Sequence, residues 1–345
     1  MKKIVFGIDV SKEKIDVTAI EVRDGFMGAK KLGYNEYENR PRGFHKMLSW
    51  AKRLATKDGL KDVLFCCETT GGYDRCLCDY LYGKDCDIWR ESALQIKRSC
   101  GLRKGKDYKA DSEMIAEYAM RHMDKAVSYE SPDSNIRDLK ALLSYRDKLM
   151  RQKTSLSVRM NEIKSTAAKS KTQSLIMQDE KRHIRELEKS IKKCEKEILQ
   201  IIEQDERLKK NYLHLTSIKG VGIVNATAMI VYTNNFKNIS TANQMASYWG
   251  AAPFREQSGT SVNRKAHVGK YSSSRLKAWL TEAAKHTVKE NGIYREYYIR
   301  MKSKGKPEGV ILNNAKNKLL HLAFELIKND MDYEENHEIL RLRRA

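Results

Sequence analysis

Two carboxylates stand within or at the end of strongly apolar runs. Asp9 lies in Ile4-Val5-Phe6-Gly7-Ile8-Asp9-Val10, and Glu68 closes Val63-Leu64-Phe65-Cys66-Cys67-Glu68. A carboxylate in such a run is costly to bury without a partner or a metal ion. Two apolar strands from distant parts of the chain, each bearing an acid, suggest one shared site at a sheet. Asp9 also has a plainer reading, as the residue that ends a strand and starts a turn. A different chemistry is available at Ser258, in the Gly-flanked polar stretch 254–261. Residues 255–280 hold six Lys/Arg against one Glu, and a serine hydroxyl in that field could face a phosphodiester. Turn serines are common, so residue type alone favours a structural Ser258. The third feature is Ile218-Lys219-Gly220-Val221-Gly222, which leads into Ala226-Thr227-Ala228-Met229-Ile230. Free N–H groups around Gly220 and Gly222 could take a DNA phosphate, or the glycines could simply permit a tight turn between helices.

The elements that must position these residues read as α/β up to about residue 130. The Asp9 run passes through Ser11-Lys12 into Ile15-Asp16-Val17-Thr18-Ala19-Ile20, a β-hairpin that presents a carboxylate. A helix with Phe44, Met47, Leu48, Trp50, Ala51 and Leu54 follows, then the Glu68 strand, a helix over 73–82 and a short strand at 86–89. The chain then turns basic, through Lys97, Arg98, Arg103, Lys104, Lys106 and Lys109. Asp111-Ser112-Glu113 opens a helix with Ile115, Tyr118 and Ala119 on one face, and an acid suits its positive end.

Ser131-Pro132-Asp133 is the clearest boundary, and three domains are expected: 1–132, 133–210 and 211–345. In the middle one Ile184, Leu187, Ile191, Cys194, Ile198 and Ile201 recur at spacings of three and four, the seam of a coiled coil. Leu139, Leu142, Leu143 and Leu149 suggest a preceding antiparallel helix, making an arm or oligomerisation element. The last domain reads as mostly helical. It has a Thr241-x-x-Gln244 capping box, a break at Gly250-Ala251-Ala252-Pro253 and a polar loop at 254–261. Ser272-Ser273-Ser274 then caps a helix holding Leu276, Trp279 and Leu280, and a final helix spans 315–327.

Charge bounds the function. Sixty-six Lys+Arg against 45 Asp+Glu give +21 over 345 residues. Such an excess self-repels unless a polyanion is the partner, and nucleic acid is the usual one. Nothing in the chain resembles a membrane span or a signal peptide, so a cytoplasmic, nucleoid-associated prokaryotic protein is expected. Seven cysteines, six of them between Cys66 and Cys100, include no pair of Cys-x-x-Cys units. Buried free thiols rather than zinc are therefore expected.

Over nearly its whole length the chain resembles the DEDD transposases of insertion sequences, a family with bridge-RNA-guided recombinases among its members. The matching words are Gly7-Ile8-Asp9-Val10-Ser11-Lys12, Cys67-Glu68-Thr69-Thr70-Gly71 and Lys109-Ala110-Asp111-Ser112. Further along they are Ile218-Lys219-Gly220-Val221-Gly222, Tyr248-Trp249-Gly250-Ala251-Ala252-Pro253 and Gln257-Ser258-Gly259. The resemblance implies an RNase-H/RuvC-like α/β domain, a helical coiled-coil arm and a mainly α-helical serine transposase domain. It makes Asp9, Glu68 and Asp111 three of four acidic ligands for Mg²⁺ or Mn²⁺, and Ser258 the nucleophile. The fourth acid of the family falls three residues before the last Asp, where this chain has Tyr108. Asp107 is adjacent, and on a helix separations of three and four share a side, so Asp107 is its expected substitute.

The resemblance further implies double-stranded DNA as substrate, a guide RNA that selects it, and assembly of a dimer to a tetramer. In that assembly the serine of one copy completes the acidic site of another. Lys97, Arg98, Arg103, Lys104, Lys106, Gly220, Gly222, Arg255, Lys265, Lys270 and Arg275 are the expected nucleic-acid contacts. Three other readings compete: a RuvC-like nuclease in which metal-activated water cuts and no covalent intermediate forms, an actin-like kinase, and a binding-only protein. The kinase needs further phosphate loops that the chain does not display.

Overall fold

The computed structural model describes residues 4–22, 29–55, 59–99, 108–165, 170–258, 262–269 and 272–334; for 255–258 and 262–266 it describes the main chain. The chain divides into two compact units, residues 1–131 and 132–345.

The first unit is built on a mixed five-stranded sheet. Its strands are β1 (Ile4–Val10), β2 (Lys14–Glu21), β3 (Lys30–Glu38), β4 (Val63–Glu68) and β5 (Ile88–Glu91), in the order β3-β2-β1-β4-β5. β1 pairs antiparallel with β2 and parallel with β4, so it is the centre of the sheet. All seven of its residues are buried, as a strand apolar on both faces requires. Helices α1 (Pro41–Leu54), α2 (Arg75–Tyr82), α3 (Ala93–Ser99) and α4 (Tyr108–Arg121) complete the unit. Phe6, Ile8, Phe65 and Cys67 share one core cluster with Phe44, Met47 and Leu77, while Val5, Leu64 and Cys66 share another with Ile115, Ala116 and Ala119 of α4. Two elements went unseen in the sequence. β3 is largely exposed and carries Lys30, Lys31, Glu36 and Glu38, so it lacks the apolar alternation that marks a strand. α3 was read simply as the start of a basic stretch.

The second unit is helical. α5 (Ser134–Ser165) and α6 (Lys171–Gln204) form an antiparallel pair. Its ion pairs Arg146–Glu195 at 2.7 Å, Lys153–Glu188 at 2.8 Å and Arg159–Glu180 at 3.1 Å step up one helix and down the other. Ile191, Cys194, Ile198 and Ile202 are its buried seam. The base of the pair is not a free-standing rod, because Leu139, Leu143, Cys194 and Ile198 share one core with the helices that follow. These are α7 (Glu206–Thr216), α8 (Ile223–Tyr232), α9 (Ala242–Tyr248), α10 (Ser274–Val288), α11 (Arg295–Ser303) and α12 (Glu308–Asn329). No helix among the described residues is long and apolar enough to cross a membrane.

Stretch 254–261 is not wholly a loop as expected. β6 (Pro253–Ser258) and β7 (Val262–Val268) form an antiparallel hairpin with an irregularity at Phe254/Glu256. Main-chain pairing defines it. The capping box is half made: Thr241 accepts from the Gln244 N–H, but the Gln244 side chain accepts from Ser240 instead. Ser273 occupies the N-cap position of α10 without a side-chain cap bond.

Candidate active site

Alternation along the strands decides where the acids go. Phe6, Ile8 and Val10 belong to the core cluster on one face, so Gly7 and Asp9 belong to the other, which α4 covers. By the same rule Glu68 joins Leu64 and Cys66 on that face. Gly7 is what lets α4 come so close. A Cβ there would stand 2.2 Å from the Ala116 nitrogen and 2.3 Å from the Ser112 oxygen, a clash with helix backbone that leaves no room for a side chain. Thr18 and Ser112 hydroxyls, 2.8 Å apart, tie the same turn of α4 to β2. Asp111 lies one residue before this anchor, in the first turn of α4.

The three expected acids lie close enough for the charges of Glu68 and Asp111 to act on Asp9, although the three do not form a group with ligand oxygens all within 4.8 Å of one another. Burial, and then the charges of Glu68, Asp111 and Asp16, together push the Asp9 carboxyl up to about 6. Burial also raises Glu68, helped by Asp111 and opposed by Lys97 of α3. Lys97 is thus felt at the acidic face, and Arg98 follows it in the last turn of α3. The charges of Glu68 and Asp111 thus act on Asp9, and carboxylate oxygens are the donor type that suits a hard divalent cation. Asp107, Arg103, Lys104 and Lys106 lie outside the described residues. α4 begins at Tyr108, which is exposed.

A fourth acid of this face was missed. Asp16 is the cross-strand partner of Asp9 and is almost fully buried. Tyr34 of β3 donates its hydroxyl to one Asp16 oxygen, and Lys14 lies 3.4 Å from the other and 2.5 Å from Glu36. Burial and this hydrogen bond push the Tyr34 hydroxyl up to about 12. Lys14 also lies over the Tyr108 ring, 4.8 Å from its centroid, and Lys109 over that of Tyr34 at 5.5 Å. The signal was present, an aspartate between Ile15 and Val17, but naming its partner required the register of β1 on β2.

On the opposite face of β4 the Cys67 and Cys78 sulfurs lie 3.5 Å apart, with Asp74 close enough to complete a three-residue ligand group. Asp74 is paired with Arg90. The hydrogen bond with Cys78, and then burial, hold the Cys67 thiol well above the ordinary range.

In the second unit, Ser258 is the last residue of β6, opposite Val262 at the mouth of the hairpin. The Ser258, Arg255 and Lys265 side chains and the whole of Lys270 lie outside the described residues. Arg275 is already engaged: its guanidinium lies 3.1 Å from Asp147 of α5 and over the Trp279 ring. Gly220 has φ +101°, and a Cβ there would stand 3.2 Å from side-chain carbons of His286 and Thr287 of α10, which fits the tight-turn reading. Gly222 is the N-cap of α8 and faces open space.

Family comparison decides what this pairing of units belongs to. A model of DEDD transposases of the IS110 type, described as "Transposase", matches residues 6–166, and "Transposase IS116/IS110/IS902 family" matches residues 212–299. The chain belongs to the IS110 family of transposases. This transposase is similar to the pilin gene-inverting proteins of Moraxella bovis and Moraxella lacunata. Each is 24% identical over 345 residues, 98% of this chain and 100% of the relative. It is 28% identical over 120 residues to an uncharacterised 43.6 kDa protein of the insertion element IS110 from Streptomyces coelicolor, covering 35% of this chain and 29% of that one. Two structures of Thermus thermophilus RuvC, one in complex with a Holliday junction substrate, align with 36% of the transposase and 99% of their own chains. Identities are 13% and 10%, and TM-scores 0.28 and 0.27.

Proposed function

We propose that this transposase cuts and rejoins double-stranded DNA through a covalent serine intermediate, with Asp9, Glu68 and Asp111 holding a divalent metal. The observation that carries the reading is the convergence of those three carboxylates on the α4 face, with Asp9 pushed up to about 6. When bound, Mg²⁺ or Mn²⁺ would supply positive charge to a scissile phosphate and a leaving 3′ oxygen. Gly7 and the Thr18–Ser112 bond fix the turn of α4 that follows Asp111 against the strands that carry Asp9, which limits how far Asp111 can move from that face. Asp16, fixed by Tyr34 and Lys14, keeps a further negative charge beside Asp9.

In the proposed step the Ser258 hydroxyl oxygen forms a bond to phosphorus as the bond to the 3′ oxygen breaks. The serine proton passes to a base in solvent, and the 3′ oxygen leaves as a hydroxyl. The phosphoserine conserves the phosphodiester bond for rejoining to a new partner. The pilin gene-inverting names of two full-length relatives support strand exchange over plain cutting. Selection of the DNA by a guide RNA, and assembly of several copies through the α5–α6 pair, belong to the same reading; the charge of +21 supports the first.

The test is a denaturing gel of the protein incubated with Mg²⁺, RNA from the element's non-coding end and a plasmid carrying its joined ends. A covalent protein–DNA adduct is expected, lost in both Ser258→Ala and Asp9→Asn. Metal-dependent cutting without an adduct, unchanged by Ser258→Ala, would make the protein a RuvC-like nuclease instead.

A further inference from the structure

The second unit carries a built cavity beside the serine hairpin. Its volume is about 550 Å³, within the range of small-molecule sites, and Tyr248, Phe254, Gly269, Ser272 and Ser273 line it. Tyr248 and Phe254 are about half exposed, at 47% and 48%, and both line the cavity. The Ser272 hydroxyl oxygen is buried and has no hydrogen-bond partner among the described residues.

One wall is fixed by a close approach. Gly250 has φ +68°, and a Cβ there would stand 2.0 Å from the Ser272 hydroxyl oxygen and 2.4 Å from Cε of Lys277. The α9–β6 turn is thus pressed onto the start of α10. Lys277 donates to the Gly269 carbonyl at 3.1 Å, which holds its ammonium at the edge of the cavity. From the other side Asn313 of α12 donates to the Ala251 carbonyl at 3.0 Å, and Lys316 lies one turn further along that helix. Lys316 is partly buried, and both burial and the charges of Lys277 and Lys285 lower its proton affinity. Lys285 is paired with Glu282. Lys277 and Lys316 have no carboxylate partner among the described residues. Lys277 thus stands at the cavity edge through Gly269, and Lys316 lies within reach of its charge. Ammonium groups without a carboxylate partner attract an anion, and the hydroxyls and aromatic faces lining the cavity match the rest of a nucleotide.

We propose that this cavity seats one unstacked nucleotide of a DNA strand, its base against Tyr248 and Phe254 and its phosphate on Lys277 and Lys316. The choice of DNA rests on the transposase reading above; the geometry of the seat does not depend on Ser258 being the nucleophile.

The test uses the full chain and a single-stranded oligonucleotide carrying 2-aminopurine, with a duplex of the same sequence beside it. Tyr248→Ala and Lys316→Gln are each expected to weaken single-strand binding about tenfold, and Tyr248→Ala to abolish the fluorescence quenching that stacking produces. Duplex affinity should change less than twofold. Tyr248→Phe keeps the ring and should bind as the wild type does, which separates a stacking role from a folding defect. Lys189→Gln, on the exposed surface of α6, controls for loss of charge alone. Unchanged single-strand affinity and quenching in Tyr248→Ala and Lys316→Gln would overturn the proposal even if the wild type forms its serine adduct. Their loss in a protein that forms no adduct would uphold the seat and count against the serine step instead.

Discussion

The acids of the first unit and the serine of the second are held by opposite means. Asp9 and Glu68 ride on β1 and β4, strands whose remaining residues are nearly all buried, and their position follows from strand alternation and from the packing of α4 at Gly7. Ser258 ends β6, in a hairpin defined by the main-chain pairing of β6 with β7. A site on core strands is pre-organised but carries the cost of gathering like charges. A site on a polar hairpin carries no such cost and gains no such rigidity. The two units therefore respond differently to substitution.

The largest expected contrast is at Asp9. Asp9→Asn should reduce DNA cleavage at least about a hundredfold while making the metal-free first unit more stable near neutral pH, by at most about 3 kcal/mol. Ser258→Ala should abolish the adduct and leave the melting temperature unchanged. If Asp9→Asn instead melts lower than the wild type without metal, the carboxylates are not repelling one another. The pH dependence sharpens the same point. An unfolded Asp9 loses its proton near 3.8 and the folded one near 6, so the folded state holds the extra proton between those values. Stability of the metal-free protein should be greatest below that window and fall as pH rises through it, a fall that Asp9→Asn removes and Mg²⁺ opposes. A melting curve that rises over the same window would contradict the raised Asp9.

Next in size is the helix approach. Gly7→Ala forces a methyl into the α4 backbone and should destabilise the first unit by roughly 3 kcal/mol, read by urea unfolding. Tyr34→Phe removes the hydroxyl from buried Asp16 and should cost about 1–3 kcal/mol, with a smaller loss of cleavage than at Asp9. Smallest is Gly222→Ala in the second unit. Its Cβ would meet open space, so stability should move by less than about 0.5 kcal/mol. A large loss of DNA affinity there would restore the phosphate-binding role first considered for this glycine.

Apolar runs and charge made much of this legible before any coordinates. The strands bearing Asp9 and Glu68, the helix that carries Asp111 (though it already runs from Tyr108) and most of the seam of α6 (with Ile202 buried in place of Ile201) follow from periodicity, because burial imposes a pattern on residues that must face a core. β3 and the β6–β7 hairpin have no such pattern. Their strands are held by hydrogen bonds between backbones, which every residue type can make, so composition is silent about them.

The sequence by itself determined the apolar strands and helices, the acidic residue types at their ends and the cationic excess that points to nucleic acid. Tertiary structure alone decided which of those residues meet. Cross-strand register set Asp16 opposite Asp9, and the contact at Gly7 brought Asp111 to the same face. The press of Gly250 on Ser272 and Lys277 likewise set the turn after α9 against the start of α10. The hairpin of Asp9 and Asp16 was legible but its register was not, and the contacts at Gly7 and Gly250 join segments distant in the chain, fixed by shape and packing that no local pattern shows.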